Sequence, residues 1–154
     1  MNESHASAEQ MIAAAKTLAE RVHQGQKRKY SGEDFINHPR RVADAVGSPV
    51  EKAVAWLHDA LEDAPDPEMV RQALKQFPPE VQAAVQALTR EDEEKESYEQ
   101  FIERVAENQL ATVVKLADLR DNLRDLELRE LKERYLKALD KLEKGVQNRD
   151  GTAA

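Results

Sequence analysis

Four side chains able to bind a metal ion stand out in the sequence: His38, the adjacent pair His58 and Asp59, and Asp118. Imidazole nitrogens and carboxylate oxygens suit manganese, iron, zinc and other divalent first-row metals, and the absence of cysteine excludes softer, sulfur-ligated sites. Four protein ligands on an ion that accepts six leave room for water and for a phosphate oxygen. Such an ion lowers the pKa of its water and offsets charge on a phosphoryl group. The pattern therefore predicts metal-assisted hydrolysis of a phosphorylated substrate.

Residues 53–63 are predicted to form one apolar helix that carries two of these ligands. Residues four apart on a helix lie one above the other, so His58 would stack with Glu62 and Asp59 with Asp63. Two acids at this spacing repel, and partial burial adds a desolvation cost that a bound cation relieves. Glu62 and Asp63 are then placed to orient or deprotonate a metal-held water. The alternative is an ordinary acidic helix in a chain that is 34% charged.

The ligands come from three stretches that must converge inside a helical bundle. Ala, Leu, Glu, Lys, Arg and Gln dominate and glycine is scarce, with five residues, so the chain is predicted to be all-α. Asn37 is expected to cap the short helix that carries His38, with Pro39 in its first turn, and Ser7 to cap the first helix. The other helices are predicted over residues 7–26, 53–63, 68–76, 80–88, 91–108, 111–126 and 130–144.

Length and composition set further limits. We expect one domain, residues 1–154, with about 7–146 ordered and flexible tails. The sequence has neither an apolar run of 18 residues nor a charged-then-apolar leader, so we expect no membrane contact and a cytoplasmic location. A net charge of -7 argues against a nucleic-acid polymer as partner. A small phosphorylated ligand is compatible where cations gather, as in the basic run Lys27, Arg28 and Lys29.

The order of these groups resembles the H…HD…D signature of the HD-domain phosphohydrolase superfamily. More narrowly, the chain resembles the alarmone hydrolase domain of the RelA/SpoT group in its short stand-alone form. The matching runs are HQGQKR at 23–28, FINHP at 35–39, LHDALED at 57–63 and KLAD at 115–118. Spread in order and at compatible spacing over roughly residues 10–126, they make the resemblance specific.

The resemblance implies a single-domain HD-type helical bundle that holds one manganese ion. It also implies removal of pyrophosphate from the 3′ position of guanosine tetra- or pentaphosphate. In this interpretation Arg28 and the amide of Asn122 contact the nucleotide, and the basic run around Arg28 meets the phosphates. The remaining roles implied are metal binding by His38, His58, Asp59 and Asp118, and service to the attacking water by Glu62 and Asp63.

Three departures from the family pattern lie where substrate would be recognised. Phe35 replaces a usual Tyr, Ala64 a usual Thr, and the run Asp118-Leu119-Arg120-Asp121-Asn122 exchanges the usual Arg and Leu. A second hypothesis therefore keeps the chemistry with another nucleotide: an adenosine polyphosphate, a dinucleotide cofactor or a 5′-monophosphate. A third is a helical metal- or nucleotide-binding regulator without turnover. A homodimer formed through the leucine-rich C-terminal end is also compatible with the sequence.

Overall fold

The computed structural model describes residues 2–29, 31–90 and 92–152, and their side chains from residue 7 to residue 144. Within these ranges the secondary structure is helical, apart from an isolated antiparallel bridge between Lys27 and Asp34. The predicted all-α class is confirmed. The helices are α1 (Asn2–Val22), α2 (Asn37–Asp44), α3 (Pro49–Leu57), α4 (Ala60–Asp63), α5 (Pro67–Leu74), α6 (Pro79–Ala87), α7 (Tyr98–Ala106) and α8 (Gln109–Thr152).

The chain divides into two compact units, residues 1–121 and 122–154. The first unit contains α1 to α7 and the beginning of α8, and the second contains the remainder of α8. Organisation as one domain over residues 1–154 stays a prediction. None of the described helices combines the length and the apolar character that crossing a bilayer requires.

Helix α3 lies at the centre of the first unit. Its residues 53–57 are all buried, and it packs against α1, α2 and α6. Because residues 53–57 are apolar on every side of the helix, other helices must enclose them. Ser48 starts α3 with a capping box. The Ser48 hydroxyl accepts a hydrogen bond from the backbone N–H of Glu51, and the Glu51 carboxylate accepts one from the backbone N–H of Ser48. The cap fixes where the helix begins, and hence where it delivers the residues at its end.

The prediction of one helix over residues 53–63 is wrong. Helix α3 ends at Leu57, α4 begins at Ala60, and His58 and Asp59 form a turn between them. Asp59 has φ −105° and ψ 1°, in the bridge region between helix and strand. Local propensity favours helix throughout this stretch, so the break reflects packing in the folded unit and not a helix-breaking residue.

Other predicted helix boundaries also differ. Ser7 lies inside α1 and not at its start, and Asn37 is the first residue of α2 without a capping side-chain bond. Residues 92–96 form a turn before α7, which Ser97 caps. The predicted helices 111–126 and 130–144 form the single helix α8, because residues 109–144 contain neither Gly nor Pro to interrupt it.

Candidate metal centre

The four predicted ligand residues converge in the first unit. His38 comes from α2, His58 and Asp59 from the turn after α3, and Asp118 from α8. One ligand atom from each lies within 4.8 Å of the others. His38, His58 and Asp118 are buried, and Asp59 is partly accessible. Sequence positions 80 residues apart are thus gathered at one point, as the predicted site requires.

The turn at His58 and Asp59 explains how neighbouring residues reach the same point. Successive residues on a continuous helix point about 100° apart. Where the helix breaks, the side chains can converge, and His58 Nε2 lies 3.0 Å from Asp59 Oδ2. The predicted stacking of His58 over Glu62 on an unbroken helix is therefore replaced by a side-by-side ligand pair.

Hydrogen bonds on the outer edges of the two imidazoles fix which ring nitrogen faces the centre. His58 Nδ1 lies 2.6 Å from the carbonyl oxygen of Ala55, which only accepts, so Nδ1–H donates. His38 Nδ1 likewise donates to the carboxylate of Asp121 at 2.6 Å. In the neutral rings both Nε2 atoms then present lone pairs inward, and they are 3.2 Å apart. Two lone pairs and two carboxylates facing each other require a cation between them.

The electrostatics agree with this requirement. Burial alone would raise the pKa of Asp118, but when the two rings are protonated, hydrogen bonds from Nε2 of His38 and His58 outweigh it and hold the pKa of Asp118 well below the usual range. Burial would lower the pKa of His58, but the charge of Asp59 and the hydrogen bond to Asp118 raise it well above the usual value. The centre therefore attracts positive charge, which a proton on His58 or a metal ion supplies.

The spacing of the ligand atoms fits a divalent ion. His38 Nε2 lies 2.8 Å from Asp118 Oδ1, beside the separations of 3.0 and 3.2 Å given above. Adjacent ligands of a six-coordinate ion with bonds of about 2.1 Å lie about 3.0 Å apart. The cluster is therefore a possible divalent metal site. Two imidazoles and two carboxylates suit several divalent first-row metals, so the donor set alone does not identify the ion.

An open cleft of about 660 Å³ borders the centre. Its walls contain His58, Asp59 and Asp118, whereas His38 lies behind them, only 1% exposed. The cleft thus gives a ligand access to one side of the four-residue cluster. Three cationic side chains also line it, and sequence reasoning had not assigned them to the site: Arg71, Arg90 and Lys115.

Glu62 and Asp63 lie in the cleft wall at α4, one turn beyond the ligand pair. The carboxylate of Glu62 accepts a hydrogen bond from the backbone N–H of Arg90, and burial raises its pKa. Although Asp63 is exposed to the cleft, the surrounding protein raises its pKa to about 7, first by desolvation and then by repulsion from Asp59 and Glu62. A carboxylate with a pKa near neutrality has the basicity that a proton acceptor needs.

The basic residues predicted to contact the nucleotide do not line this cleft. Lys27 pairs with Asp34, and the guanidinium of Arg28 lies 5.9 Å from the centroid of the Phe35 ring. Lys27, Arg28 and Lys29 are not among the side chains that line the 660 Å³ cleft. Asn122 begins the second unit. Contact between these four residues and a nucleotide stays a prediction.

Two contacts close to the ligands were missed or misjudged from the sequence. Asp121 holds the outer nitrogen of His38, and its position three residues after Asp118 on one helix face was the available signal. The sequence predicts that Lys115 pairs with Asp118 or Asp121 at the surface; it does pair with Asp118, at 2.9 Å, but it is partly buried and lies in the cleft wall. The face of α8 directed to the core thus carries acids among its apolar residues.

Comparisons with known proteins find similarity in sequence and in fold. No family model matches the chain. It is 31% identical over 133 residues to a GTP pyrophosphokinase of Myxococcus xanthus, a match that covers 76% of this chain but only 17% of that protein's length. A solved structure described as a metazoan ortholog of SpoT that hydrolyzes ppGpp superposes with a TM-score of 0.64 at 29% identity, covering 77% of this chain and 71% of the other. The helical fold, the gathered ligand groups and these similarities are consistent with an HD-type domain of the RelA/SpoT group.

Proposed function

We propose that the protein is a metal-dependent phosphohydrolase that removes pyrophosphate from the 3′ position of guanosine tetra- or pentaphosphate. The observation that carries the hydrolytic chemistry is the inward-facing cluster of two imidazoles and two carboxylates at the edge of an open cleft. The choice of substrate is supported by the likeness to the metazoan ortholog that hydrolyzes ppGpp.

The proposed ligands are His38, His58, Asp59 and Asp118, and the proposed ion is Mn²⁺, as the resemblance to the RelA/SpoT hydrolases implies. When bound, the ion supplies Lewis-acid chemistry: it lowers the pKa of water and offsets phosphoryl charge. The outer hydrogen bonds of His38 and His58 hold both rings with their Nε2 lone pairs inward. Ring orientation is therefore set before the ion binds.

Glu62 and Asp63 are proposed to serve the attacking water. Asp63, with a pKa of about 7, accepts the proton of the water as its oxygen attacks phosphorus. Glu62 is held in place by the backbone of Arg90 and orients the same water. The bond from phosphorus to the 3′ oxygen breaks, the 3′ oxygen takes up a proton from solvent to become a hydroxyl, and pyrophosphate is released.

Cations in the cleft wall are proposed to balance the charge of the phosphates. Lys115 lies beside Asp118, and Arg71 and Arg90 line the same cleft. Because guanidinium groups bind phosphate oxygens, the two arginines suit a diphosphate. Arg90 would use its Nη1, since its Nε and Nη2 donate to the carbonyl oxygen of Glu96. Arg28, with Lys27 and Lys29, and Asn122 are proposed to contact the nucleotide, as the resemblance implies.

A panel of nucleotides tests the proposal. We expect the wild-type protein with Mn²⁺ to release pyrophosphate from guanosine tetraphosphate, and chelator to abolish the release. Asp59→Ala should lose both metal and activity, whereas the double variant Glu62→Ala, Asp63→Ala should keep the metal and lose activity. Asp140→Ala removes a surface acid paired with Lys144 and serves as the control.

Each outcome of the panel has a defined meaning. Release from an adenosine polyphosphate, a dinucleotide cofactor or a 5′-monophosphate alone would retain the site and replace the substrate. Full activity in the double variant would refute the role of the carboxylate pair. Metal binding without product from any nucleotide would indicate a regulator.

We also propose a second copy of this chain as a partner of the second unit. Residues of α8 spaced as positions a and d of a heptad repeat present an exposed apolar stripe, with the four large side chains 41–68% exposed. Such a stripe is typical of a helix that pairs with another helix. Its members are Leu128, Leu131, Tyr135, Ala138 and Leu142.

The charges beside the stripe favour a parallel pair. With Leu128 at position a, Glu127 occupies position g and Lys132 the following position e. In a parallel pair, Glu127 of each copy therefore faces Lys132 of the other copy, and the two attract. An antiparallel pair that keeps the apolar positions together would bring Arg134 near Lys141, which repel. The molar mass in solution, measured by light scattering, tests the pairing.

A further inference from the structure

Asp121 lies between a ligand of the metal cluster and a second ion pair. Its Oδ2 accepts from His38 Nδ1 at 2.6 Å, and its Oδ1 accepts from Arg41 Nε at 2.7 Å. Arg41 in turn donates from both terminal nitrogens to Glu33, at 2.7 and 3.2 Å. A chain of contacts therefore runs from the loop before α2, through Arg41, to the imidazole of His38.

This arrangement leaves the carboxylate of Asp121 little freedom. Both of its oxygens are engaged, and Arg41 Nη2 adds a bond of 3.1 Å to Oδ2, so the carboxylate cannot turn without losing contacts. Asp121 and His38 are both buried, which strengthens their charged hydrogen bond. The imidazole is thereby held in one plane.

Helix α8 holds both nitrogens of the same ring. Asp118 and Asp121, three residues apart, lie on one face of the helix. Asp118 Oδ1 is 2.8 Å from His38 Nε2, while Asp121 Oδ2 is 2.6 Å from Nδ1. A carboxylate that accepts from the outer N–H of a ligating histidine fixes its tautomer and makes the inner nitrogen a stronger ligand.

We propose that Asp121 is a positioning residue for the metal ion, acting through His38, and that Arg41 and Glu33 hold Asp121 in place. The proposal rests on the metal site of the proposed function. It concerns affinity for the ion and does not depend on which nucleotide is hydrolysed.

Metal affinity measured by calorimetric titration with Mn²⁺ tests this role. Asp121→Asn keeps the size of the side chain and removes its charge, and we expect it to weaken Mn²⁺ binding by about 10–100-fold. Arg41→Gln frees Asp121 to turn and should weaken Mn²⁺ binding by a smaller factor. If Asp121→Asn does not fold, the Mn²⁺ affinity of Arg41→Gln tests the proposal by itself. Excess Mn²⁺ should restore kcat in both variants, since neither residue contacts the reacting groups.

Glu96→Gln supplies a matched control. It weakens the ion pair between Arg104 and Glu96, which resembles the pair between Arg41 and Glu33: the arginine donates to both carboxylate oxygens, and the side chains of both pairs are partly exposed. The Arg104–Glu96 pair touches none of the four ligands. We expect it to change stability without changing Mn²⁺ affinity.

The results separate this inference from the proposed function. Wild-type affinity in Asp121→Asn and Arg41→Gln would overturn the inference and leave the hydrolase intact. An equal loss of affinity in Glu96→Gln would also overturn it, because the effect would then be one of general stability. Weakened binding in the two variants would support it even if wild-type protein failed to hydrolyse guanosine tetraphosphate.

Discussion

Binding of a divalent ion should raise the melting temperature of the protein. The ligands lie at positions 38, 58–59 and 118, and only the folded chain brings them within 4.8 Å. An ion that binds the native but not the unfolded state stabilises the native state by about 2.7 kcal/mol at one hundred times its Kd. For a chain of this length each kcal/mol shifts Tm by about 2–4 °C, so the expected rise is about 5–11 °C.

Scanning calorimetry at neutral pH, with Mn²⁺ and then with chelator, measures this rise. Asp59→Ala removes one ligand that is partly accessible, and its Tm should respond much less to the ion. The ion displaces a proton from His58, whose pKa lies well above its usual value, so the rise should grow as the pH increases above neutrality into the range where His58 loses its proton. An unchanged Tm at saturating Mn²⁺, or an equal rise in Asp59→Ala, would refute the argument that the cluster holds the ion.

Two further predictions concern the carboxylate base and the second unit. Because Asp63 must be deprotonated to accept a proton and its pKa is about 7, the rate should rise with pH and be half-maximal near pH 7; a rate independent of pH between 6 and 8 would contradict this role. Leu131→Glu places like charges within the apolar stripe of α8 and should convert a dimer to monomers on light scattering, whereas exposed Glu133→Gln should not; a monomeric wild-type protein would refute the pairing.

The cluster of His38, His58, Asp59 and Asp118 was predictable because the residue types are informative. Histidine and aspartate are uncommon in apolar stretches such as those around residues 58 and 118, so their presence there indicated a site. The all-α class followed equally well from a composition rich in helix formers and poor in glycine. The metal identity, and the roles of Glu62, Asp63, Arg28 and Asn122, remain predictions that rest partly on resemblance.

Features set by contacts between distant residues were not predictable. The break at His58 and Asp59 occurs among helix-forming neighbours, so no local signal marks it. The bond between Asp121 and His38 joins positions 83 residues apart. The cleft cations, Arg71 and Arg90 among them, are brought to one wall by packing. The continuity of α8 had instead a local signal that the prediction of two helices overlooked, since residues 109–144 contain neither Gly nor Pro.

The turn after α3 would make His58 and Asp59 a chelating pair for a metal ion. Their ligand atoms lie 3.0 Å apart on adjacent residues, so an ion held by the first meets the second at a very high effective concentration. Little chain entropy is lost in closing such a short ring, and that loss is incurred when the protein folds, before any ion arrives. His38 and Asp118 would supply the other two donors. The interrupted helix would thus let two neighbouring side chains bind one ion together.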